Sequence, residues 1–295
     1  MNVCIYATYS VAYIYRQETF HLVALFFIPG IICYSHYRKL VHMPTANGRI
    51  VKDDPRYHFT QAYLEGKGHT FQDDGALDFI IFPFKQPPDE DIYNDKFFQD
   101  LRKQTQIFSG LRSQYLTQQC HTHGLPYHVM MEDPGTTVRN AVPTSEGVIA
   151  YLIHHLGRTI AGSRILVVGY GVCGSDLARR LTALGATTSA LVRNRSKACN
   201  AQADGVTPIY LAALAHQKYH AIINTVPSTT LTNDVLGTLG TTLLIDIASA
   251  PYGFDIAYAQ TLNPKSALLP AIPGKYAIQT AGDILGEYVD DHLRS

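Results

Sequence analysis

Short apolar runs alternate with longer amphipathic segments from about residue 45 to the end of the chain. The clearest apolar runs, each bounded by glycine, proline or polar residues, are 76–82, 163–168, 220–226 and 242–248. Runs of this length, rich in β-branched residues, are typical of parallel strands that are buried on both faces. Between the runs, segments such as 175–184 repeat their apolar residues at helical spacing. This alternation predicts an α/β protein with open parallel sheets.

The first sheet is predicted from two successive units. A strand at 49–53 leads into a helix at 58–65, which Gly66 and Gly68 would close. A second unit has a strand at 106–110, a helix at 111–121 and a strand at 126–130. We therefore expect residues 43–142 to form an N-terminal α/β domain on the substrate side.

A long helix is expected to join this domain to the next. The segment 140–147 contains Pro143 in an entry position, with Thr144 or Ser145 as candidates for the N-cap. The second region, 143–295, then comprises this bridging helix, a second open-sheet domain and a C-terminal helix that returns.

Residues 1–42 do not follow the pattern. The stretch 22–33 contains no charged residue, but a membrane-spanning helix needs about 20 apolar residues, and Pro29-Gly30 breaks this stretch. A basic N-terminus and a small-residue cleavage site, which mark secretory signals, are missing. We interpret residues 1–42 as an atypical N-terminal extension, with Met43 as an alternative translation start. A membrane anchor and a packed addition to the fold stay open as alternatives.

A glycine motif follows the apolar run 163–168 and precedes an amphipathic helix. In G-x-G-x-x-G, the first glycine permits a tight turn, the second admits a pyrophosphate and the third lets the helix pack against the strand. The motif between a strand and a helix predicts a Rossmann dinucleotide-binding domain. The expected cofactor contacts are Gly169, Tyr170, Gly171, Val172, Cys173 and Gly174. We interpret Cys173 as a packing residue rather than a reactive thiol.

The second strand of this domain, at 187–192, ends in a basic turn. NAD-selective domains usually place an acidic residue there, which binds the ribose 2′-hydroxyl. This chain has Arg193, Asn194, Arg195 and Ser196 instead. Guanidinium groups bind a 2′-phosphate, which a carboxylate would repel. We therefore expect NADP rather than NAD, with a solvated basic turn as the alternative.

Later strands of the same sheet should end beside the glycine turn. Ligands bind at the carboxyl ends of such strands. The nicotinamide side of the cofactor is therefore expected near Asn224, Thr225, Val226, Pro227 and Ala248. Lys275 follows a Pro-Gly turn and is a candidate for binding a substrate carboxylate, although an exposed lysine without such a role fits equally well.

Composition narrows the classes of partner. The chain has 295 residues, with 24 basic and 24 acidic side chains, so no net charge attracts nucleic acid or an anionic membrane over long range. The 5 cysteines form no paired spacing, and the 13 histidines form no ligand spacing, which argues against disulfides and metal. We expect a cytoplasmic protein with no nucleic-acid, membrane or metal partner.

Several stretches together resemble the A-subunit family of dipicolinate synthase. They occur in the family's order and span roughly residues 48–288. The stretches are 107–111 with 115–116, 140–147, 169–174 with 183–186, 223–227, 245–249, and 273–275 with 280–282. One departure lies at residues 51–54, where the family usually has a Gly-Gly-Asp turn.

The resemblance implies an NADP-linked oxidoreductase of bacterial sporulation. Its members oxidise a dihydro- or hydroxytetrahydro-dipicolinate to dipicolinate, in the mother-cell cytoplasm, together with a flavoprotein-like B subunit. A cleft between the two domains would then hold this small dicarboxylate. Its expected substrate-binding residues are Ser109, Gly110, Asn140, Thr144 and Ser249, and its expected catalytic residues are Glu146 and Lys275.

Each of these roles has a chemical reason. The first amides of a helix beginning near Thr144 would bind one carboxylate, and Lys275 would bind the other. Glu146 would accept the proton, although a capping role suits it as well. Gaining aromaticity drives the reaction, so the protein has mainly to orient its substrate.

Two other functions remain open. A non-catalytic NADP-binding sensor or scaffold subunit fits because no residue is an unmistakable catalyst. A related NADP-dependent dehydrogenase of another small carboxylate also fits. A shikimate-type dehydrogenase lacks support because its Asn-x-Thr-x-Pro-x-Lys signature is missing, and His292 is a poor catalytic histidine for a 2-hydroxyacid dehydrogenase. The hydration state of the substrate and any homo-oligomer stay undetermined.

Overall fold

The structure is a computed structural model whose backbone is described for residues 10–16, 19–28, 31–38, 45–51, 54–73, 75–85 and 88–295. Side chains are described within these ranges from Thr45 onward, except at positions 215 and 216. The chain forms two compact units, Met1–Pro44 and Thr45–Ser295.

The first unit contains an antiparallel sheet of three strands. Its strands are β1 (Ser10–Arg16), β2 (Thr19–Ile28) and β3 (Ile31–Arg38), in the order β1-β2-β3. The apolar stretch predicted from the sequence lies in β2 and β3, so its described backbone pairs as strands. No helix in the described ranges is long and apolar enough to cross a membrane. The interpretation of residues 1–42 as an extension stays a prediction.

The second unit begins with a parallel sheet of five strands in the order β5-β4-β6-β7-β8. The strands are β4 (Asn47–Ile50), β5 (Thr70–Phe71), β6 (Phe79–Ile81), β7 (Gln106–Ser109) and β8 (Tyr127–Val129). The helices are α1 (Arg56–Gly66), α2 (Asp95–Asp100) and α3 (Gln114–His123).

Both faces of this first sheet are covered. Successive residues of a strand point to opposite faces. Phe79 and Ile81 accordingly join one apolar core, whereas Ile80 and Phe82 join another on the other side. Double burial explains why residues 79–82 are continuously apolar instead of alternating.

Helix α4 (Pro134–His155) links the two sheets, and it begins earlier than the sequence predicted. Asp133 is the N-cap: its Oδ2 accepts a hydrogen bond from the amide of Thr136 at 2.6 Å. Pro143 lies inside the helix, and the predicted N-cap at Thr144 or Ser145 is wrong. The reason is that Pro143 removes one amide donor without ending the helix, while Asp133 and Pro134 supply the cap and the first position.

A six-stranded parallel sheet follows, in the order β11-β10-β9-β12-β13-β14. Its elements are β9 (Arg164–Val168), α5 (Val172–Ala183), β10 (Thr187–Leu191), α6 (Arg195–Ala203), β11 (Thr207–Ile209), β12 (Ala221–Asn224), α7 (Asn233–Thr238), β13 (Leu243–Asp246), α8 (Ile256–Leu262) and β14 (Ala267–Leu268). This is the doubly wound order of a Rossmann fold, in which the strand order reverses between the parallel neighbours β9 and β12. The predicted fold class is confirmed.

The chain then returns to the first sheet through α9 (Pro273–Tyr276) and α10 (Ile278–Arg294). Helix α10 lies close against α1, because a Cβ at Gly282 would come within 2.6 Å of the Arg56 carbonyl oxygen. Thr60 Oγ1 also donates to the Gly282 carbonyl at 3.0 Å. Leu285 and Val289 belong to the core of the N-terminal sheet. Helices α4 and α9–α10 therefore join the two sheets.

Candidate functional site

The glycine turn after β9 has the geometry of a phosphate-binding loop. Gly169 has a φ of +94°, and a Cβ there would meet Val226 Cγ2 at 2.5 Å. A Cβ at Gly174 would lie 2.3 Å from the Gly169 carbonyl oxygen, so the helix can approach the strand only at glycine. At Gly171, by contrast, an added Cβ would meet nothing within 4 Å. Space is thus left beside the first turn of α5, whose amides have no partner within the helix.

Three other residues of this turn have distinct positions. Tyr170 is buried, and its hydroxyl donates to Asp204 Oδ2 at 2.6 Å, which ties the turn to the end of α6. Val172 is 44% exposed at the start of α5. Burial, with a smaller contribution from Asp176, raises the pKa of Cys173, so the sulfur stays a thiol at neutral pH. This agrees with a packing role for Cys173.

The predicted basic turn is exposed at the end of β10. Asn194 is the N-cap of α6, and its Oδ1 accepts from the Lys197 amide at 3.0 Å. Arg193, Arg195 and Ser196 are exposed. Neither arginine forms an ion pair with any carboxylate in the described ranges. Two free guanidinium groups therefore lie where a Rossmann domain contacts the adenosine ribose.

Thr225 fixes the glycine turn from the neighbouring strand. Its amide and its Oγ1 both donate to the Val168 carbonyl, at 3.0 and 2.8 Å. Val168 pairs with Asn224 in the register of β9 and β12. The half-buried Val226 and the exposed Pro227 follow next to Gly169. The ends of β9 and β12 are thus adjacent at the point where ligands bind in this fold.

The side chain of Asn224 is buried and bonds to the adjacent loop. It is fully buried, and its Nδ2 donates to Asp246 Oδ1 and to the Val226 carbonyl, both at 2.9 Å. Asp246 in turn accepts from the amides of Ala248 and Gly253, at 2.9 and 2.7 Å. The buried Asn224–Asp246 pair therefore shapes the loop after β13. The sequence reasoning missed Asp246, although a carboxylate at the end of an apolar strand is a usable signal.

A second group of side chains lies at the carboxyl edge of the N-terminal sheet. Arg56 is only 5% exposed, and its Nε and Nη2 donate to the two carboxylate oxygens of Asp54 at 2.8 and 2.6 Å. The guanidinium carbon lies 3.7 Å from the centroid of the Phe84 ring. The sequence analysis did not single out Arg56, Asp54 or Phe84. We name these three residues the arginine cluster.

The charge of the arginine cluster is fixed by its contacts. Burial by itself would raise the pKa of Asp54, but the hydrogen bonds from the side chain and backbone of Arg56 outweigh burial and hold the pKa below its usual range. Asp54 is therefore ionised at neutral pH and orients the guanidinium. Asp54 accepts hydrogen bonds from Nε and Nη2 of Arg56. Among the described residues, no acceptor is bonded to Nη1.

The predicted substrate residues Ser109 and Gly110 shape this edge. Ser109 Oγ donates to the Leu111 carbonyl at 2.8 Å and accepts from Tyr127 Oη at 2.7 Å, so the single proton of this buried hydroxyl is already donated. A Cβ at Gly110 would lie 2.1 Å from Phe84 Cδ2. Both residues therefore hold Phe84 and its loop in place.

Helix α4 does not supply the carboxylate site predicted at Thr144. Because α4 begins at Pro134, Thr144 lies in the helix interior, where its Oγ1 donates to the Asn140 carbonyl at 2.8 Å. Asn140 is half-buried. Glu146 is exposed, and its carboxylate lies 3.5 Å from Arg180 Nη1, about two turns from the start of α5. This ion pair joins α4 to α5, and Glu146 has no part in the function proposed below.

Lys275 and Ser249 are both exposed. Lys275 forms no ion pair with a described carboxylate, and it lies in α9, next to Gly274. A Cβ at Gly274 would be 3.5 Å from Arg56 Nε, so α9 contacts the arginine cluster. Ser249 lies in the loop that Asp246 orders. Gly274, the sequence neighbour of Lys275, thus lies beside the arginine cluster.

Comparisons with known proteins find similarity in sequence and in fold. The NAD-binding domain of D-isomer specific 2-hydroxyacid dehydrogenases matches residues 141–240. The A subunit of dipicolinate synthase from Bacillus subtilis (strain 168) is 35% identical over 190 residues, which are 63% of this chain and 64% of that protein. The chain therefore matches less than two thirds of this relative's length. The crystal structure of the Bacillus subtilis protein has a TM-score of 0.76 at 26% identity and covers 84% of this chain and 95% of its own.

In sequence and in fold, the chain is similar to the A subunits of dipicolinate synthase. A second crystal structure of a dipicolinate synthase A subunit, from Bacillus halodurans, has a TM-score of 0.75 at 25% identity, covering 85% of this chain and 98% of its own. A transhydrogenase from Sinorhizobium meliloti, with a TM-score of 0.60 at 13% identity, covers 84% and 94% and shares the fold alone. The matched domain contains the glycine turn, the basic turn and the end of β12. It supports an oxidoreductase that binds a nicotinamide dinucleotide.

Proposed function

We propose that this chain oxidises a dihydro- or hydroxytetrahydro-dipicolinate to dipicolinate with NADP, in the mother-cell cytoplasm during sporulation and together with a B subunit. The similarity to the A subunit of dipicolinate synthase supports this reaction. In the dihydro substrate, a hydride leaves one ring carbon and a proton leaves the neighbouring ring atom for water, which yields the aromatic ring. When bound, the nicotinamide accepts the hydride at C4. The hydroxylated substrate would first lose water.

The single observation that carries the substrate class is the arginine cluster beside α9. The substrate has two carboxylates and a planar ring. Arg56, oriented by Asp54 and by the Phe84 ring, can bind one carboxylate through its unused Nη1. Lys275, in the adjacent helix, can bind the other. Ser109 and Gly110 keep Phe84 in position, and Asn140 and Ser249 are proposed to line the same site.

The cofactor is proposed to bind along the carboxyl edge of the Rossmann sheet. Its pyrophosphate would lie at Gly171 and the first turn of α5, where the structure leaves space for it. Arg193, Arg195 and Ser196 would bind the 2′-phosphate, which favours NADP over NAD. Val226, Pro227 and Ala248 would flank the nicotinamide, on a loop that Asn224 and Asp246 hold together.

Steady-state kinetics of substrate-site variants test this proposal. Arg56→Gln should raise the substrate KM tenfold or more, because a charge-assisted hydrogen bond contributes about 1.5–3 kcal/mol. Lys275→Gln should act in the same direction. Asp54→Asn is the matched control: it should raise KM less than Arg56→Gln, since the guanidinium keeps its charge. An unchanged KM in both Arg56→Gln and Lys275→Gln would remove the arginine cluster and α9 from the substrate site.

The non-catalytic alternative is distinguished in the same assay. The substrate is generated in place from aspartate semialdehyde and pyruvate by the upstream synthase, with a B-type subunit present or omitted. An enzyme forms NADPH in at least one of the two mixtures. A sensor or scaffold subunit binds NADP in both and forms NADPH in neither.

A further inference from the structure

A cavity of about 520 Å³ opens at the edge of the Rossmann sheet that lies opposite the glycine turn. It is lined at the amino ends of three strands, by Arg164 at the start of β9, by His220 before β12 and by Thr242 before β13. Its volume falls in the range typical of small-molecule sites, about 300–1,000 Å³. We name it the basic cavity.

The described residues that line the basic cavity include cations and no carboxylate. Its lining includes three exposed cations, Arg158, Arg164 and Lys218, together with His155 and His220. None of the three permanent cations forms an ion pair with a described acidic residue. Several cations with no counter-ion raise the local positive potential, and in a chain with no net charge this potential is a local feature.

The hydrogen bonds of His220 leave its Nε2–H facing a donor instead of an acceptor. Its Nδ1 accepts from the Arg164 amide at 2.8 Å. Burial, together with Arg158 and Arg164, holds the pKa of His220 below its usual range, so the ring is neutral at neutral pH. A neutral imidazole has a single N–H, which must then be on Nε2. The atom next to Nε2 is Nη1 of Arg158, which is also only a donor.

We propose that the basic cavity binds a small oxyanion of two or more negative charges, through Arg158, Arg164 and His220. An oxygen of such an anion can accept from both Nε2–H of His220 and the Arg158 guanidinium, which otherwise face each other as two donors. Phosphate groups and clustered carboxylates share this chemistry. The cavity lies at the opposite edge of the sheet from the cofactor turn, so this site is additional to those of substrate and cofactor.

Isothermal titration of the full chain tests the proposal with two probes, inorganic pyrophosphate and citrate. At least one probe should bind the wild-type protein at a site whose affinity depends on Arg158. Arg158→Gln should weaken that binding about tenfold or more, from the loss of a charge-assisted hydrogen bond. Lys218→Gln should weaken probe binding less than Arg158→Gln. Because Lys218 is exposed and has no described partner, this second variant keeps the test valid if Arg158→Gln fails to fold. Stronger binding of one probe identifies phosphate or carboxylate as the preferred group.

Arg193→Gln is the matched control, because Arg193 is an exposed, unpaired arginine at the opposite edge of the same sheet. It should leave the affinity of the Arg158-dependent site unchanged, even if it removes binding of the probe at the cofactor turn. Binding lost in Arg193→Gln but kept in Arg158→Gln and Lys218→Gln would place the anion at the cofactor turn and overturn the proposal. Failure of both probes to bind the wild-type chain would also overturn it.

Discussion

Gly171 offers the sharpest test of the cofactor site, because its two expected effects separate stability from binding. Replacing Gly171 with Ala adds a methyl group that meets no atom within 4 Å. The backbone at this position has φ −86° and ψ −163°, which an alanine adopts without strain. The loss of a favourable N-cap residue and the gain from a stiffer unfolded chain are both small, so the free energy of unfolding should change by no more than about 1 kcal/mol.

The same methyl group occupies the space proposed for the pyrophosphate. We therefore expect Gly171→Ala to weaken NADP binding at least tenfold, which corresponds to about 1.4 kcal/mol. Urea unfolding measures the first quantity and isothermal titration with NADP the second. Unchanged NADP affinity in a normally folded Gly171→Ala protein would refute the placement of the pyrophosphate.

Gly174→Ala provides the contrast. Its Cβ would lie 2.3 Å from the Gly169 carbonyl oxygen and 3.0 Å from Thr225 Oγ1. Because a backbone atom cannot turn aside, α5 must move away from β9. Overpacking of this kind costs about 1–3 kcal/mol. Gly174→Ala should therefore lose both stability and NADP affinity, whereas Gly171→Ala loses affinity alone.

Three further predictions concern other parts of the chain. Arg193→Gln combined with Arg195→Gln should weaken NADP binding tenfold or more and leave NAD binding nearly unchanged; equal losses for both cofactors would contradict a 2′-phosphate site. Asp246→Ala should lower the free energy of unfolding in urea by about 2 kcal/mol or more, since it leaves buried amide donors without an acceptor; a stability equal to wild type would show that the loop does not depend on this carboxylate. Burial, together with the nearby His292, lowers the pKa of His128 from 6.5 to about 4, so the unfolded chain binds the extra proton first and stability should fall as pH drops from about 6.5 to 4. His128→Phe, which keeps the stacking on Phe108, should flatten that pH dependence, and an unaltered slope would assign it to other groups.

The parts of the fold that local sequence determines were predictable. Gly169 adopts a positive φ, and a Cβ at Gly174 would meet the carbonyl oxygen of Gly169, so both requirements act within one short stretch of sequence. The apolar run at 76–82 likewise predicted a strand buried on both faces. In both cases the physical requirement restricts residue type at each position, so the sequence carries it directly.

Other features depend on residues that meet only after folding. Asp54 lies only two residues from Arg56, but Phe84 and α9 lie in distant parts of the sequence, so the local sequence did not predict that Arg56 is buried between them. Strand β5 has two residues and carries no apolar run that could reveal it. The start of α4 was misread because Pro143 followed by Thr144 and Ser145 imitates a helix entry. Asp133, the true cap, is followed by Pro134, which was the better signal.

The central claim is the oxidation of a reduced dipicolinate precursor at the expense of NADP. The most direct measurement follows NADPH and dipicolinate by their ultraviolet absorbance in one reaction of the purified chain, a B-type subunit, NADP and substrate generated in place. The account predicts one dipicolinate for each NADPH, with both signals reduced together in Arg56→Gln. Dipicolinate formed at the same rate without NADP or without this chain would contradict it.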